Sequence, residues 1–399
     1  MSQPEIVLGG GGAPKRGEQP ALVTPAFVLV VLSTFGYFLC VGMLLPTLPR
    51  FIEGPLGGSD VAVSVSGAAF SLSAVLLRPF AGRAGDRLGR GPLMVGGSVI
   101  VAASVGLYSV VDSLPVLMLL RFCAGVGEAM FFVAAAAAIT DLAPEERRGE
   151  AVSLFSLALY GGISIGPILG ELLLDGDRFT RVWIVAVVFC SAATFLALRV
   201  RDARPERGEA DIGSRILHPA AVLPGIVLFT TVWSFAAFSS FVSLYALHLG
   251  MSGSRFVFFT YSFTVLLIRL FGARIPDRLG PRRAATIATV TVSAGMLVMG
   301  VWRTAAGLYT GAFVFGIGQA FAFPALMLLA VHGAPAFERG AVVGTYSAFV
   351  DLAFGVGALS LGPVAHSLGY PDTFLVSAVV AMIGLVLLRT KVREAPATA

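Results

Sequence analysis

The stretch RPFAGRAGDRLGR, residues 78–90, places four arginines and an aspartate in a 399-residue chain that is 56% hydrophobic and only 13% charged. Soluble globular proteins carry about 25% charged residues, whereas the mean hydropathy of this chain is +0.87. A soluble domain cannot bury so much apolar surface. The composition therefore predicts an integral membrane protein, and the charged stretch marks a connection at one membrane face.

Apolar segments long enough to cross a membrane follow one another along the chain. A helix needs about 20 mostly apolar residues to cross a bilayer core of roughly 30 Å. Short polar connections separate the segments. We predict an all-α integral membrane fold with twelve transmembrane helices, at about residues 25–47, 60–81, 92–111, 115–140, 150–173, 182–199, 220–247, 255–272, 284–301, 307–331, 340–363 and 372–389.

The charged stretch occurs a second time, as RLFGARIPDRLGP at residues 269–281. A shift of 191 residues (269 − 78) carries Arg78 onto Arg269 and the string Asp-Arg-Leu-Gly at 86–89 onto 277–280. The same shift, without a gap, aligns Gly125 with Gly316, Gly127 with Gly318, Phe132 with Phe323, Pro144 with Pro335, Arg148 with Arg339 and Gly166 with Gly357. Charged loops rarely match by chance in one register, so the sequence predicts two six-helix halves in parallel repeat.

The repeat divides the chain into two bundles and three polar segments. We predict an N-terminal six-helix bundle at 22–199 and a C-terminal one at 220–390, joined by a linker at 200–219. Residues 1–21 are expected to form a disordered tail, and 391–399 a second tail. Basic residues concentrate on the side of both tails and the linker, which we therefore expect to be cytoplasmic. Only two of the 28 basic residues are lysine, a composition typical of GC-rich bacteria, so the expected location is a bacterial cytoplasmic membrane.

Three motifs on this repeated framework resemble the major facilitator superfamily. They are GRAGDRLGR at 82–90 with its repeat near 277, RFCAGVGEA at 121–129, and YGGISIGPILGE at 160–171. The resemblance covers the chain from about residue 25 and implies a secondary transporter that works by alternating access. The glycines around Gly166 and Pro167 are similar to a signature of proton-coupled drug exporters, which implies a role in gating for these two residues. Glu171 stands where that signature commonly has a second glycine.

The acids of the repeated loops are candidates for a gate. In the family's architecture Asp86 lies near the N-terminal end of span 11, where unsatisfied N–H groups attract a carboxylate. By the repeat, Asp277 is expected near the start of span 5, and Arg87, Arg90 and Arg278 lie in the same two loops. Each contact is worth about 0.3–2 kcal/mol, enough to bias one state over the other. The alternative is that the arginines only anchor the topology.

Three ionisable residues stand out deep inside predicted spans. Glu128 is at the centre of span 4, Asp351 is at the centre of span 11, and Arg121 is two turns from Glu128 on the same helical face. An ionisable side chain at mid-membrane costs about 2.5–3.5 kcal/mol, so each is a functional candidate. We expect Glu128 and Asp351 to exchange protons, and the resemblance implies proton coupling for Arg121. The alternatives are a structural Glu128–Arg121 ion pair and helix pairing through Asp351.

Uncharged partners occupy the equivalent positions in the other half. The shift of 191 residues carries Glu128 onto Gln319, and Tyr160 onto Asp351. With Trp233 and Tyr37, Gln319 and Tyr160 are the predicted substrate-cavity residues. Three further polar residues stay outside this set: Arg78 and Arg269 are expected to snorkel to the interface in preference to clamping an anion, and Glu171 is expected to face water.

The leading functional prediction is a proton-coupled antiporter that exports a hydrophobic small molecule, a drug or a metabolite. The alternative is a proton-coupled symporter that imports a small nutrient or an organic anion. A membrane enzyme or sensor is disfavoured because no phosphate-binding loop or added soluble domain is visible in the sequence. We expect no cofactor beyond the proton gradient, no metal and no nucleic acid. The expected partners are the small molecule and the lipid bilayer, and a monomer suffices.

Overall fold

The computed structural model describes residues 22–144, 147–176, 178–200, 218–272, 279–332 and 339–391. Of a few helical residues, including Asp351, it describes the backbone alone. The predictions for Asp277 and Arg278 lie outside the described residues, as do those for residues 1–21, most of the linker and nearly all of the C-terminal tail.

The described residues form twelve α-helices and no strand, which confirms the predicted all-α membrane fold. The helices are α1 Pro25–Glu53, α2 Asp60–Leu88, α3 Arg90–Leu107, α4 Leu114–Leu142, α5 Arg148–Leu174, α6 Phe179–Ala197, α7 Pro219–His248, α8 Arg255–Phe271, α9 Pro281–Val301, α10 Ala305–His332, α11 Arg339–Leu368 and α12 Tyr370–Thr390. Eleven of them are long and apolar enough to span a membrane, and α8, with 17 residues, is shorter than the rest. The side of the bundle where α1 begins and α12 ends is named the terminus side, and the opposite side the far side.

Most of the motif at 78–90 is helical, whereas the sequence predicts that span 2 ends near residue 81 and that a connection follows. Helix α2 continues to Leu88, and Gly89 alone separates it from α3, with φ +100°. Gly280, the repeat equivalent of Gly89, has φ +83° before α9. Glycine adopts this backbone conformation without the steric cost of a Cβ atom. The charged motif is therefore mostly the end of a long helix, and the turn is one residue.

Helix packing follows the repeat. In the N-terminal half the packed pairs are α1–α5, α2–α4, α3–α4, α1–α6 and α3–α6, and in the C-terminal half α7–α11, α8–α10, α9–α10, α7–α12 and α9–α12. Each pair of the first set has its equivalent in the second. Between the halves α2 packs on α11, α5 on α8, and α1 on α7. The first two of these contacts are related to each other by the same repeat.

Repeat-related glycines make the same close contacts in both halves. A Cβ atom on Gly127 would lie 2.6 Å from the carbonyl oxygen of Gly97, and one on Gly318 would lie 2.7 Å from that of Ala288. Ala288 is the residue that the shift assigns to Gly97. Small residues let membrane helices approach closely where no hydrophobic driving force brings them together. These contacts are physical support for the register read from the sequence.

The contact between α1 and α5 is closer than its equivalent between α7 and α11. A Cβ on Gly166 would lie 2.7 Å from the Cα atom of Gly42, so the two backbones touch. The shift carries Gly42 onto Trp233 and Gly166 onto Gly357. A Cβ on Gly357 would lie 2.8 Å from Cδ1 of the Trp233 ring. In the C-terminal half, the Trp233 ring therefore occupies the place where the backbones of α1 and α5 touch in the N-terminal half.

Candidate functional site

The side chain of Glu128 is buried near the middle of α4 and faces an arginine of α2. Glu128 is 8% exposed, and its Oε1 lies 3.7 Å from an Nη atom of Arg78. Its Oε2 has no hydrogen-bond partner among the described residues. The guanidinium of Arg78 also lies over the ring of Phe132, 4.8 Å from the centroid. The charge pair is therefore held between two helices of the N-terminal half.

The position of Arg78 differs from the one expected from the sequence. The sequence predicts that span 2 ends near residue 81 and that Arg78 snorkels to the interface. Helix α2 instead runs to Leu88, so Arg78 lies ten residues, or about 15 Å, before its end. At that depth the guanidinium meets Glu128 in preference to water. If the polar residues 82–88 are counted as part of span 2, the sequence places Arg78 well before the end of the helix.

Arg121 contacts α2 and does not form the structural ion pair with Glu128 that the sequence left open as an alternative. Its Nε donates a hydrogen bond to the carbonyl oxygen of Ser66, at 3.3 Å, and its guanidinium lies 4.4 Å from the centroid of the Phe70 ring. Both neighbours belong to α2, on the far side of the Glu128 level. Seven residues of helix separate Arg121 from Glu128 by about 10 Å. The described ion pair of Glu128 is with Arg78, and the proton-coupling role of Arg121 stays a prediction.

Arg269, the repeat equivalent of Arg78, also points into the protein. Its guanidinium carbon lies 3.5 Å from the centroid of the Tyr160 ring, which belongs to the other half. Tyr160 is near the middle of α5, whereas Arg269 is two residues from the end of α8. The expected snorkelling toward the membrane interface is therefore wrong for Arg269. The structure brings the predicted cavity residue Tyr160 to the contact between α5 and α8.

The other predicted cavity residues pack inside their own halves. The Gln319 amide donates to the carbonyl oxygen of Thr231 at 2.8 Å, and the indole N–H of Trp233 donates to the hydroxyl of Ser360 at 3.0 Å. Tyr37 is fully buried, and its ring stacks on Phe131 with centroids 4.0 Å apart. In this conformation Tyr37 and Trp233 are core residues. Their contact with a substrate stays a prediction.

On the far side, Glu171 joins the two halves. It is 8% exposed, so the expectation that it faces water is wrong. Its Oε1 accepts hydrogen bonds from the backbone N–H of Ser254, at 3.1 Å, and from the Ser254 hydroxyl. Arg50 of α1 lies 3.7 Å from its Oε2. The sequence does not reveal this role, because the partner that buries Glu171 comes from the other half.

Two further far-side contacts cross between the halves. The Tyr370 hydroxyl, at the start of α12, donates to Oε1 of Glu53 at the end of α1, at 3.2 Å. Farther along, a Cβ on Gly362 would lie 2.5 Å from the Cβ of Ser64, which shows how closely α11 approaches α2. With Glu171, these contacts close the far side along α1, α2 and α5.

On the terminus side, Asp86 at the end of α2 is exposed and pairs with Arg90 at the start of α3. Its side chain is 63% exposed, and its carboxylate lies 2.8 Å from Arg90. Arg90 also contacts Asp141 of α4 at 3.1 Å. Arg87 is exposed. A carboxylate held at a helix N-terminus would lose most of its exposure, so the predicted latch is not formed by Asp86 in this conformation.

Asp351 lies near the middle of α11, the helix that packs on α2. The repeat makes it the equivalent of Tyr160, which contacts Arg269 across the halves. Its proton-coupling role stays a prediction. In the described part of the chain, no group of three or more histidine, cysteine, aspartate or glutamate residues is arranged to hold a metal ion.

The comparisons with known proteins agree with this architecture. The family model described as Major Facilitator Superfamily matches residues 30–358 and 225–399. The chain belongs to the major facilitator superfamily. Relatives of this superfamily member include two uncharacterised MFS-type transporters. One, from Salmonella typhimurium, is 26% identical over 377 residues, which are 91% of this chain and 95% of that protein. The other, from Burkholderia mallei, is 28% identical over 376 residues, 91% of each chain.

Solved structures of other transporters share the fold of this superfamily member. The human organic anion transporter MFSD10 superposes with a TM-score of 0.70 at 21% identity, covering 93% of this chain and 100% of that one. The nucleoside transporter NupG gives 0.74 at 13% identity, covering 91% and 99%. A bacterial homologue of the human lysosomal transporter Spinster, solved in an inward-facing and unoccupied conformation, gives 0.77 at 14% identity, covering 96% and 100%. Identities this low establish the common fold alone.

Proposed function

We propose that this chain is a proton-coupled antiporter that exports a hydrophobic small molecule, a drug or a metabolite, by alternating access. The observation that carries the proposal is the carboxyl group of Glu128, buried in the middle of α4 with one oxygen free of described partners. An ionisable group at this depth is costly and marks a transport or proton pathway. Its partner Arg78 lies on α2, the helix that packs on the opposite half.

The pair of Glu128 and Arg78 has two charge states. With Glu128 ionised, the guanidinium 3.7 Å away compensates its charge and the pair is neutral overall. When a proton binds Glu128, the negative charge beside Arg78 is removed. The two states differ by one unit of charge in a poorly solvated region, where electrostatic interactions are strong. Proton binding therefore changes the net charge around Glu128 and Arg78, and with it the charge of the ligand that this region favours.

Alternating access requires contacts that form on one side as they break on the other. The far-side contacts of Glu171 with Ser254 and of Glu53 with Tyr370 support a form that is closed on that side. The exposed Asp86 supports the same form, in which the proposed latch on the terminus side is open. In the proposed cycle, opening of the far side breaks the first two contacts and docks Asp86 near the start of α11.

A second candidate is proton-coupled import of an organic anion. It is favoured by the two repeat-related arginines, Arg78 and Arg269, which both point into the protein at the level of aromatic rings. Protonation of Glu128 would remove one negative charge beside Arg78 and so favour an anion there, so that proton and anion move in the same direction. Export by antiport instead requires that the proton and the substrate bind in alternation.

Everted membrane vesicles that contain the protein test the proposal. The vesicles are acidified inside and loaded with a pH-sensitive dye, and lipophilic cations, antibiotics, organic anions and sugars are added in turn. Antiport predicts that a transported compound collapses the proton gradient in the wild type and not in Glu128→Gln. The control is Asp175→Asn, which removes an exposed carboxylate on the far side and should leave the response intact.

The outcomes separate the two candidates. Symport predicts no collapse in everted vesicles and an alkaline shift of the medium when an organic anion is supplied to right-side-out vesicles. A collapse that survives in Glu128→Gln would refute the coupling role of Glu128 and leave the antiporter itself standing. No response by any compound in either orientation would refute proton coupling.

A further inference from the structure

The two repeat-related arginines differ in the charge that surrounds them. Arg78 has the carboxylate of Glu128 3.7 Å away. The shift of 191 residues assigns Gln319 (128 + 191) to the position of Glu128 in the C-terminal half, and Gln319 carries no charge. The Gln319 amide donates its hydrogen bond to the carbonyl oxygen of Thr231. The C-terminal half therefore keeps the arginine of the pair without the acid.

In the described part of the chain, Arg269 contacts an aromatic ring and forms no ion pair. Its guanidinium stacks on the Tyr160 ring at 3.5 Å, and its Nε is buried with no hydrogen-bond partner among the described residues. A cation–π contact holds a guanidinium in place but leaves its in-plane N–H groups available. Those N–H groups form a planar fork that matches a carboxylate.

Snorkelling does not explain the orientation. Arg269 is two residues from the end of α8, and a side chain seeking water would point toward the terminus side. Its guanidinium instead reaches Tyr160, the thirteenth of the 27 residues of α5, near the helix midpoint. Helical side chains tilt toward the N-terminus of their own helix, which for α8 is the far side. The charge is thus directed into the protein along the contact between the two halves.

An aromatic group lies farther along α8 in the same direction. The Tyr261 ring lies 5.6 Å from that of Phe235 on α7, and Phe235 lies 5.7 Å from Phe354 on α11. These three rings present an apolar surface to the body of a ligand. The combination of a guanidinium fork with adjacent aromatic rings suits a molecule that has one anionic group and a flat apolar part.

We infer that Arg269, backed by Tyr160, binds the anionic group of the transported molecule, and that the substrate is an amphipathic organic acid such as an aromatic carboxylate. In the C-terminal half, Gln319 stands at the position of Glu128, and the anionic group of the substrate supplies the missing negative charge. This inference rests on the proposed function as a proton-coupled transporter and holds for either direction of coupling. It places the anion at Arg269, because the repeat-equivalent Arg78 already has the carboxylate of Glu128 beside it.

Binding of 2-naphthoate and of its uncharged analogue 2-naphthamide to the purified full-length protein tests the inference. Isothermal titration calorimetry needs no gradient, so this experiment can fail or succeed independently of proton coupling. We expect the wild type to bind the carboxylate and to bind the amide at least about tenfold more weakly, because a charge-assisted hydrogen bond is lost. Failure of the wild type to bind 2-naphthoate, or equal binding of both probes, would overturn the inference.

Four variants locate the site. Arg269→Gln should weaken 2-naphthoate binding about tenfold to hundredfold, and Arg269→Lys should retain part of the affinity because it keeps the charge. Gln319→Glu should also weaken binding, because it restores the acid at the position equivalent to Glu128. The control is Arg199→Gln, since Arg199 also stacks on an aromatic ring, that of Phe195 at 4.4 Å, but lies beyond the end of α6.

The control also separates loss of binding from loss of folding. Each variant is compared by its melting temperature and its elution volume before titration. Arg269→Gln that is folded and binds 2-naphthoate as tightly as Arg199→Gln would overturn the assignment. If Arg269→Gln does not fold, Arg269→Lys and Gln319→Glu decide, and unchanged affinity in both would also overturn it.

Discussion

Glu171 of the N-terminal half accepts a hydrogen bond at 3.1 Å from the backbone N–H of Ser254 in the C-terminal half. The Ser254 hydroxyl donates to the same oxygen, and Arg50 lies 3.7 Å from the other one. A carboxylate with these partners is satisfied only while the two halves are together on the far side. Glu171 is therefore a contact whose loss should be visible in the balance between conformations.

We expect Glu171→Gln to shift this transporter toward the form that is open on the far side. Hydrogen bonds to a charged group contribute about 1.5–3 kcal/mol, which corresponds to roughly a tenfold to hundredfold change in population. Spin labels on the far-side ends of α5 and α8 measure the change by their distance distribution. Asp175→Asn, one exposed residue past the end of α5, is the control. An unchanged distribution in Glu171→Gln would show that other contacts hold the far side closed.

The Arg78–Glu128 pair predicts a non-additive effect on stability. Removal of Arg78 takes away the positive charge 3.7 Å from the buried Glu128 carboxylate, and breaking a buried pair in this way costs about 3–5 kcal/mol. We expect Arg78→Gln to lower the melting temperature strongly in detergent, and the double variant Arg78→Gln/Glu128→Gln to be more stable than Arg78→Gln alone. Thermal melts of the wild type, both single variants and the double variant form the required cycle. Additive effects of the two substitutions would show that the 3.7 Å contact carries little coupling.

The close contact of α1 with α5 predicts a large effect of a single methyl group. A Cβ on Gly166 would lie 2.7 Å from Gly42, so Gly166→Ala must push the two helices apart. Overpacking of this kind costs about 1–3 kcal/mol, and the melting temperature and transport rate should both fall. Gly82→Ala is the matched control, because Gly82 is helical and a Cβ there would meet nothing within 4 Å. Equal melting temperatures for the two variants would contradict the packing argument.

The turn before α3 predicts strain on substitution. Gly89 has φ +100°, so Gly89→Ala forces a Cβ into an unfavourable backbone conformation. The cost is about 1–3 kcal/mol, and the melting temperature should fall while Gly82→Ala again leaves it unchanged. Gly280→Ala, at the equivalent turn with φ +83°, should behave like Gly89→Ala. Different responses of the two turns would show that the repeat does not extend to their energetics.

The exposed Asp86 predicts a state-dependent effect. Asp86→Asn should leave the stability of the far-side-closed form nearly unchanged, because the carboxylate is 63% exposed there. It should slow transport, since the proposed latch at the start of α11 forms only in the opposite state. Substrate flux and the same spin-label distances measure both effects, with the exposed Asp112→Asn as control. Flux equal to that of the wild type would refute the latch.

Much of the fold of this protein was predictable because it depends on short-range properties of the chain. Each helix needs an apolar segment of sufficient length, and every described helix overlaps a predicted span. The repeat was predictable because one shift aligns charged and glycine positions, and the contacts of Gly127 and Gly318 support that shift. Fold class, helix order and repeat register were thus determined by the sequence itself.

The partners of the polar residues were decided by the tertiary structure. The sequence indicated that Glu128 is buried, but not that its partner is Arg78, because the polar end of α2 hid the depth of that arginine. Glu171 was expected in water and is instead buried by Ser254 of the other half. In a bilayer both the lipid and the neighbouring helices are apolar, so hydrophobicity does not reveal which face of a helix turns inward. Only the packing of the helices orients these side chains and brings the two halves together.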